Sequence, residues 1–254
     1  GKGMASENFR FKRFTVWHDQ CAMKVGTDGV LLGAWCPLSH LVIPSSSIRL
    51  LDIGTGSGLI ALMLAQRLST WLHPTTSYSI DAIDIDTEAV MQSAHNFALS
   101  PWADMLHAHQ SPLQQWQSEP YHLIVSNPPY FQNSLKNPDN QRATARHTDT
   151  LGYAELISHA TRLLAPDGIL ALVLPIEAET EILQIASQHH LHPTHITHVH
   201  SKPGKPAKRI LIAFHTTQHT TQPNTTPLYS TLHIESATSP RSEEYSLLTK
   251  DFYL

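Results

Sequence analysis

LLDIGTGSGLIALMLAQR, residues 50–67, changes its hydrophobic period halfway along. The unbroken apolar run at Ile48–Ile53 reads as a buried strand, and the three-and-four spacing that follows reads as a helix over Ser57–Leu68. Between them stand Gly54, Gly56 and Gly58. Glycines at a strand-to-helix junction allow a tight turn and let a ligand approach backbone N–H groups at a helix start. A dinucleotide turn, Gly-x-Gly-x-x-Gly, would need glycine at position 59, where Leu59 stands. No Gly-Lys-Ser/Thr occurs, which excludes a P-loop.

Working outward, apolar runs and helical patterns alternate. Ser79–Ile85 reads as a strand, and Thr87–Leu99 as a helix capped by Thr87. Met105–His109 and His122–Ser126 read as strands, and 152–165 as a helix stopped by Pro166-Asp167-Gly168. Ile169–Leu174 is a further strand. Strands separated by helices mean an α/β fold, a mostly parallel sheet with helices on both faces. Beyond Pro175 a helix is expected over Ile176–Gln188, with strands at His195–His200, Arg209–His215 and Leu228–Ile234. Residues 216–227 form a polar link, and a last helix starts near Ser242. The expected organisation is one domain over 9–254, with an extension (9–47), a core (48–175) and the C-terminal half of the sheet (176–254). Residues 1–8 are read as a cloning remnant and flexible N-terminus.

The chain has 254 residues, 41% apolar and 15% charged. Such a length buries a large core without a disulfide or metal staple, and the two cysteines, Cys21 and Cys36, are no disulfide framework. No apolar run approaches the roughly 18 residues of a membrane span, and no secretory leader is seen, so a cytoplasmic protein is expected. A net charge of −4 excludes a uniformly basic nucleic-acid binder and leaves only local patches. The 18 histidines would reverse that sign as pH falls through about 6.5.

The pattern Asp52-x-Gly54-x-Gly56-x-Gly58 is that of enzymes using S-adenosylmethionine (SAM). Asp84, at the tip of the next strand, can accept both ribose hydroxyl hydrogens; a solvated helix start is the alternative. After the strand at His122–Ser126 comes Asn127-Pro128-Pro129-Tyr130. Two prolines end the strand, fix the backbone and leave carbonyl acceptors free. The Asn127 side-chain oxygen and the Pro128 carbonyl can hold the hydrogens of an amine so that its lone pair turns toward a methyl group. Tyr130 can stack on a planar substrate. This is catalysis by positioning and electrostatics.

Together these segments resemble class I, Rossmann-like SAM-dependent methyltransferases acting on exocyclic or amide nitrogen. More closely, FRFKRFTVWHDQCAMKVGTDGVLLGAW (9–35), the glycine turn, SNPPYFQ (126–132) and SEEYSLLTKDFYL (242–254) resemble the bacterial tRNA(Val) adenine-N6 methyltransferase family. The resemblance implies methylation of adenosine 37 beside the anticodon, with SAM as methyl donor and S-adenosylhomocysteine as product. It implies no metal, no membrane and no obligatory protein partner. By that resemblance Lys24, Thr27 and Asp28 close over the methionine end of SAM. Asp52, Gly54, Gly56, Gly58 and Asp84 hold the cofactor with Asn127, which serves both sites. Asn127, Pro128, Pro129 and Tyr130 form the catalytic tetrad. Such enzymes place an acid after the third strand for the cofactor's adenine. Here Gln110-Ser111-Pro112-Leu113 stands, and Gln110, Ser111 or a backbone carbonyl is left to substitute.

An adenine N6 in stacked RNA must be splayed into the pocket. Phosphate contacts are expected from Arg10, Lys12 and Arg13, from Lys136, Arg142 and Arg146, and from Lys202, Lys205, Lys208 and Arg209. The first group equally suits an amphipathic edge strand. The histidines at 189–200 match no metal spacing and reflect composition. Guanine N2 of ribosomal RNA and a protein glutamine amide are the rival substrates. The second usually needs a recognition domain, and only about 50 residues precede the glycine turn. An idle RNA-binding module is a further rival, and the intact tetrad argues against it.

Overall fold

The computed structural model of the chain describes residues 7–43, 46–129, 151–216 and 226–254. β1 (Asn8–Arg10) and β2 (Thr15–Trp17) form a small antiparallel hairpin of their own. The aromatic-basic run therefore folds back on itself instead of making one edge strand, and ordered structure already includes Asn8. Then follow α1 (Thr27–Trp35), β3 (Ser47–Ile53), α2 (Leu59–Trp71), β4 (Ser77–Asp84), α3 (Thr87–Leu99), β5 (Leu106–Gln110) and β6 (Tyr121–Ser126). The later elements are α4 (Tyr153–Leu163), β7 (Leu164–Pro175), α5 (Glu179–Gln188), β8 (Leu191–His200), β9 (Ala207–Thr216), β10 (Leu228–His233) and α6 (Glu243–Leu248).

Among the described residues β3 to β10 make one sheet in the order β10-β8-β9-β7-β6-β3-β4-β5. β9 runs antiparallel to both neighbours and the other pairings are parallel. The chain builds outward from β3 to β5, then returns to β6 on the other side of β3. Open α/β sheets bind ligands at such a reversal, outside the carboxyl ends of the strands. Alternation within β3 sends Ile48 and Leu50 into the core beneath α1, α2 and α3, and Leu51 and Ile53 into the core beneath α4 and α5. Burial on both faces is why β3 reads as a continuous apolar run.

Element boundaries differ from the sequence reading for local reasons. Gly58 is left-handed (φ +88°) and stays in the turn, so α2 starts at Leu59. The cap of α3 is Asp86, whose carboxylate accepts from Glu88 N at 3.0 Å, rather than Thr87. Leu164 already pairs with Tyr121, so Pro166-Asp167-Gly168 interrupts β7 rather than preceding it. β8 begins four residues earlier than expected because Leu191–Pro193 pair with β9. A short 3-10 turn, Ile176–Ala178, precedes α5. The link at 217–225 lies outside the described residues.

Two contacts set the frame of the site. A Cβ on Gly33 of α1 would lie 2.6 Å from Met63 Sδ and 2.9 Å from its Cβ, so glycine lets α1 lie directly on α2. At the chain ends, Phe9, Phe11 and Tyr253 cluster, Lys12 N donates to Phe252 O at 2.8 Å, and Arg241 lies 3.7 Å above the Tyr253 ring. No helix among the described residues is long and apolar enough to cross a membrane.

Candidate functional site

A pocket of about 1220 Å³ opens at the carboxyl edge of the sheet, where the strand order reverses. The glycine turn lies along it. Gly54 and Gly56 have φ of +68° and +56°, and a Cβ on either would meet nothing within 4 Å. Backbone conformation demands glycine there, and a side chain would enter the pocket itself. Gly54 N and Thr55 N donate to Ile83 O at 2.9 and 3.0 Å, stitching the turn to β4. Asp84 completes the stitch: Oδ2 accepts from Gly56 N at 2.9 Å and Oδ1 from Asp86 N at 3.0 Å. Burial raises the Asp84 pKa, and these backbone bonds pull it back down. Behind the turn Asp52 is buried, with Oδ2 accepting from Thr55 Oγ1 at 2.8 Å and Oδ1 with no partner among the described residues. Burial pushes its carboxyl up to about 7, with the Thr55 bond opposing and the Asp84 charge reinforcing the shift.

The segment before α1 forms one wall. Lys24 Nζ donates to the carbonyls of His18 (2.7 Å), Asp19 (3.3 Å) and Cys21 (3.1 Å), while Val25 N donates to His18 Nδ1 at 2.8 Å. The Lys24 ammonium therefore shapes this loop. Thr27 and Asp28 line the pocket from the first turn of α1, and Asp28 Oδ2 accepts from Arg209 Nε at 2.9 Å. Asn96 of α3 ties the wall to the turn, bonding Trp17 N, Trp17 O and Ser57 O. At the far wall Asn127 follows β6. Ser126 Oγ donates to Ile53 O at 2.9 Å, and the Asn127 Oδ1 atom is buried with no partner among the described residues. Pro128 is buried and Pro129 exposed; Tyr130 lies outside the described residues.

The methyltransferase small domain family matches residues 32–190. The tRNA1(Val) (adenine(37)-N6)-methyltransferase of Parabacteroides distasonis is 47% identical over 254 residues, covering 99% of each chain. Its counterpart in Bacteroides fragilis is 45% identical, again over 99% of each. The chain belongs to this methyltransferase family. In fold it is also similar to a class I S-adenosylmethionine-dependent methyltransferase of Listeria monocytogenes, with a TM-score of 0.63 at 13% identity. That likeness covers 90% of this chain and 73% of the other.

The residues fit the cofactor this family implies. The open cradle at Gly54 and Gly56 takes a ligand that no side chain displaces, and Asp84 retains acceptor capacity beside it. Sequence reasoning missed much of the remaining lining: Cys21, Met23, Ile85, Leu113, Gln114 and Leu151. Ile85 carried a signal, an apolar residue between two acids at a strand exit, and it is 45% exposed. Of the residues considered at the end of β5, Ser111 lines the pocket, and Gln110 instead turns its amide toward Ile85 O at 3.4 Å.

The basic residues fall at two places. Lys202 and Lys205 are exposed on the β8–β9 connection and Lys208 at the start of β9, at the same sheet edge as the pocket. Arg10 is exposed on the β1–β2 hairpin. Lys12 and Arg13 border Gln66, Arg67 and Trp71 in the C-terminal half of α2, about 11–18 Å of helix away from the glycine turn. Lys12 Nζ donates to Lys250 O at 2.6 Å, and Arg13 lies 5.5 Å from the Trp102 ring. Lys136, Arg142 and Arg146 lie outside the described residues. Among the described residues no group of three or more His, Cys, Asp or Glu side chains could hold a metal.

Proposed function

We propose that this protein transfers a methyl group from SAM to N6 of adenosine 37 in a valine tRNA, in the cytoplasm and without a metal. The observation that carries the chemistry is the buried Asn127 Oδ1, with no partner among the described residues, at the wall of a pocket built on a glycine cradle. A buried acceptor without a donor costs about 1–3 kcal/mol, and a substrate amine relieves that cost. The tRNA and the position follow from relatives of that name at 47% and 45% identity over nearly the whole chain.

When bound, SAM supplies an electrophilic methyl on a sulfonium. The chain's own part is to hold the amine. Asn127 Oδ1 and the Pro128 carbonyl accept its two hydrogens, drawing the lone pair out of conjugation and aiming it at the methyl. Asp84 holds the ribose, and the loop fixed by Lys24, with Thr27 and Asp28, covers the methionine end. Tyr130 stacks on the target base, a role resting on the motif alone. Lys202, Lys205 and Lys208 meet phosphates around the splayed nucleotide. After transfer the surplus amine proton leaves to water.

Incubation with labelled SAM and total bacterial tRNA, followed by digestion to nucleosides, tests the reading. N6-methyladenosine confined to a valine isoacceptor is the expected product. Label in ribosomal RNA or protein instead would retain the fold and discard the substrate.

A further inference from the structure

The tips of four neighbouring strands carry the pocket in a fixed order: Asn127 at β6, the glycine turn at β3, Asp84 at β4, and the Ser111–Gln114 segment at β5. Three strand spacings, roughly 14 Å, separate the first tip from the last. SAM carries its sulfonium on C5′ of the ribose and its adenine on C1′. With the methyl facing Asn127 and the ribose on Asp84, the adenine falls over exposed Ile85, just past β4, and beside the tip of β5. This placement rests on the cofactor reading above.

Most polar groups at that end are already committed. Ser111 N donates to Asp84 O at 3.0 Å, and the Ser111 hydroxyl donates to Pro112 O at 2.8 Å. Pro112 has no N–H. Arg162 of α4 clamps the turn through Leu113 O (3.1 Å) and Trp116 O (2.8 Å). Gln114 differs. It lines the pocket, and its Nε2 donates to Glu155 Oε2 at 2.7 Å. Flipping the amide would set its oxygen against the carboxylate, so Glu155 selects one orientation. Oε1 is then left as an acceptor with no partner among the described residues.

We infer that Gln114 Oε1 accepts the exocyclic amine of the cofactor's adenine, with Glu155 as the positioning residue that fixes the carboxamide. A neutral acceptor there favours a 6-amino purine and opposes a 6-oxo purine, whose own oxygen would face Oε1.

Calorimetric binding of S-adenosylhomocysteine and its 6-oxo counterpart, S-inosylhomocysteine, tests this without turnover. Wild type is expected to prefer the amino form. Gln114→Met, with its melting temperature checked, should bind S-adenosylhomocysteine roughly three- to ten-fold more weakly and lose most of the preference. Glu155→Ala should lose part of the preference, and Ser111→Ala should keep it. Equal weakening of both ligands in Gln114→Met, or an unchanged preference, would overturn the inference. So would loss of the preference in Ser111→Ala with retention in Gln114→Met. A wild-type protein that binds neither ligand would bring down the cofactor reading and this inference with it.

Discussion

Asn127 and Asp52 both carry a buried side-chain oxygen with no hydrogen-bond partner among the described residues, yet they predict different experiments. Asn127→Ala removes an acceptor from the reacting amine and should lower kcat by roughly 100-fold or more, while S-adenosylhomocysteine binding is largely spared. Single-turnover rates and calorimetry on the same preparation check the split; near-normal turnover would remove Asn127 from the mechanism. Asp52 lies behind the turn, and burial pushes its pKa to about 7 from an ordinary value near 4. Between those values the unfolded chain has lost the proton that the folded chain keeps. The stability this provides is complete below about pH 4 and is lost as pH rises through 7. Asp52→Asn does not titrate. Its melting temperature relative to wild type should therefore rise by roughly 5–10 °C between pH 5 and pH 8, and a flat difference would refute the assignment. Gly54, Gly56 and Asp84 were legible because a glycine spacing or an acid at a strand tip names its own chemistry. Gln114 was not, because its role depends on Glu155, which lies 41 residues away in sequence.

Two glycine substitutions should separate packing from binding at the level of the elements. Gly33→Ala drives a methyl into Met63 and should cost about 1–3 kcal/mol, seen as a melting temperature lower by roughly 2–10 °C, with cofactor affinity unchanged. Gly56→Ala meets open space but must adopt φ +56°. It should cost about 1 kcal/mol of stability and at least roughly ten-fold in S-adenosylhomocysteine affinity, because its methyl enters the cradle. Thermal melts and calorimetry on both proteins check the pair, and an equal pattern in the two would contradict the geometry. The strands and helices from Ile48 to Leu174 could be read from periodicity because each is buried on a predictable face. The N-terminal hairpin could not, since its alternation fits a lone edge strand equally well. Only the register Asn8 to Trp17 distinguishes them. Likewise β8, rich in histidine, is made a strand by its pairing with β9 and β10 rather than by its own composition.

Across the whole molecule the net charge of −4 hides a sheet edge where pocket and lysines coincide. Replacing Lys202, Lys205 and Lys208 together by Ala should raise KM for tRNA and leave kcat and cofactor binding unchanged. The slope of log affinity against log salt should fall by up to roughly 0.9 per lost phosphate contact. An unchanged salt slope would move the RNA elsewhere. The stitched chain ends have a consequence for how the protein is made. The β1–β2 hairpin docks on Phe252 and Tyr253, residues that are synthesised long after it. A nascent chain thus holds Phe11 against Phe9 and Phe14, and Phe9 and Phe11 lack their Tyr253 neighbour until translation reaches it.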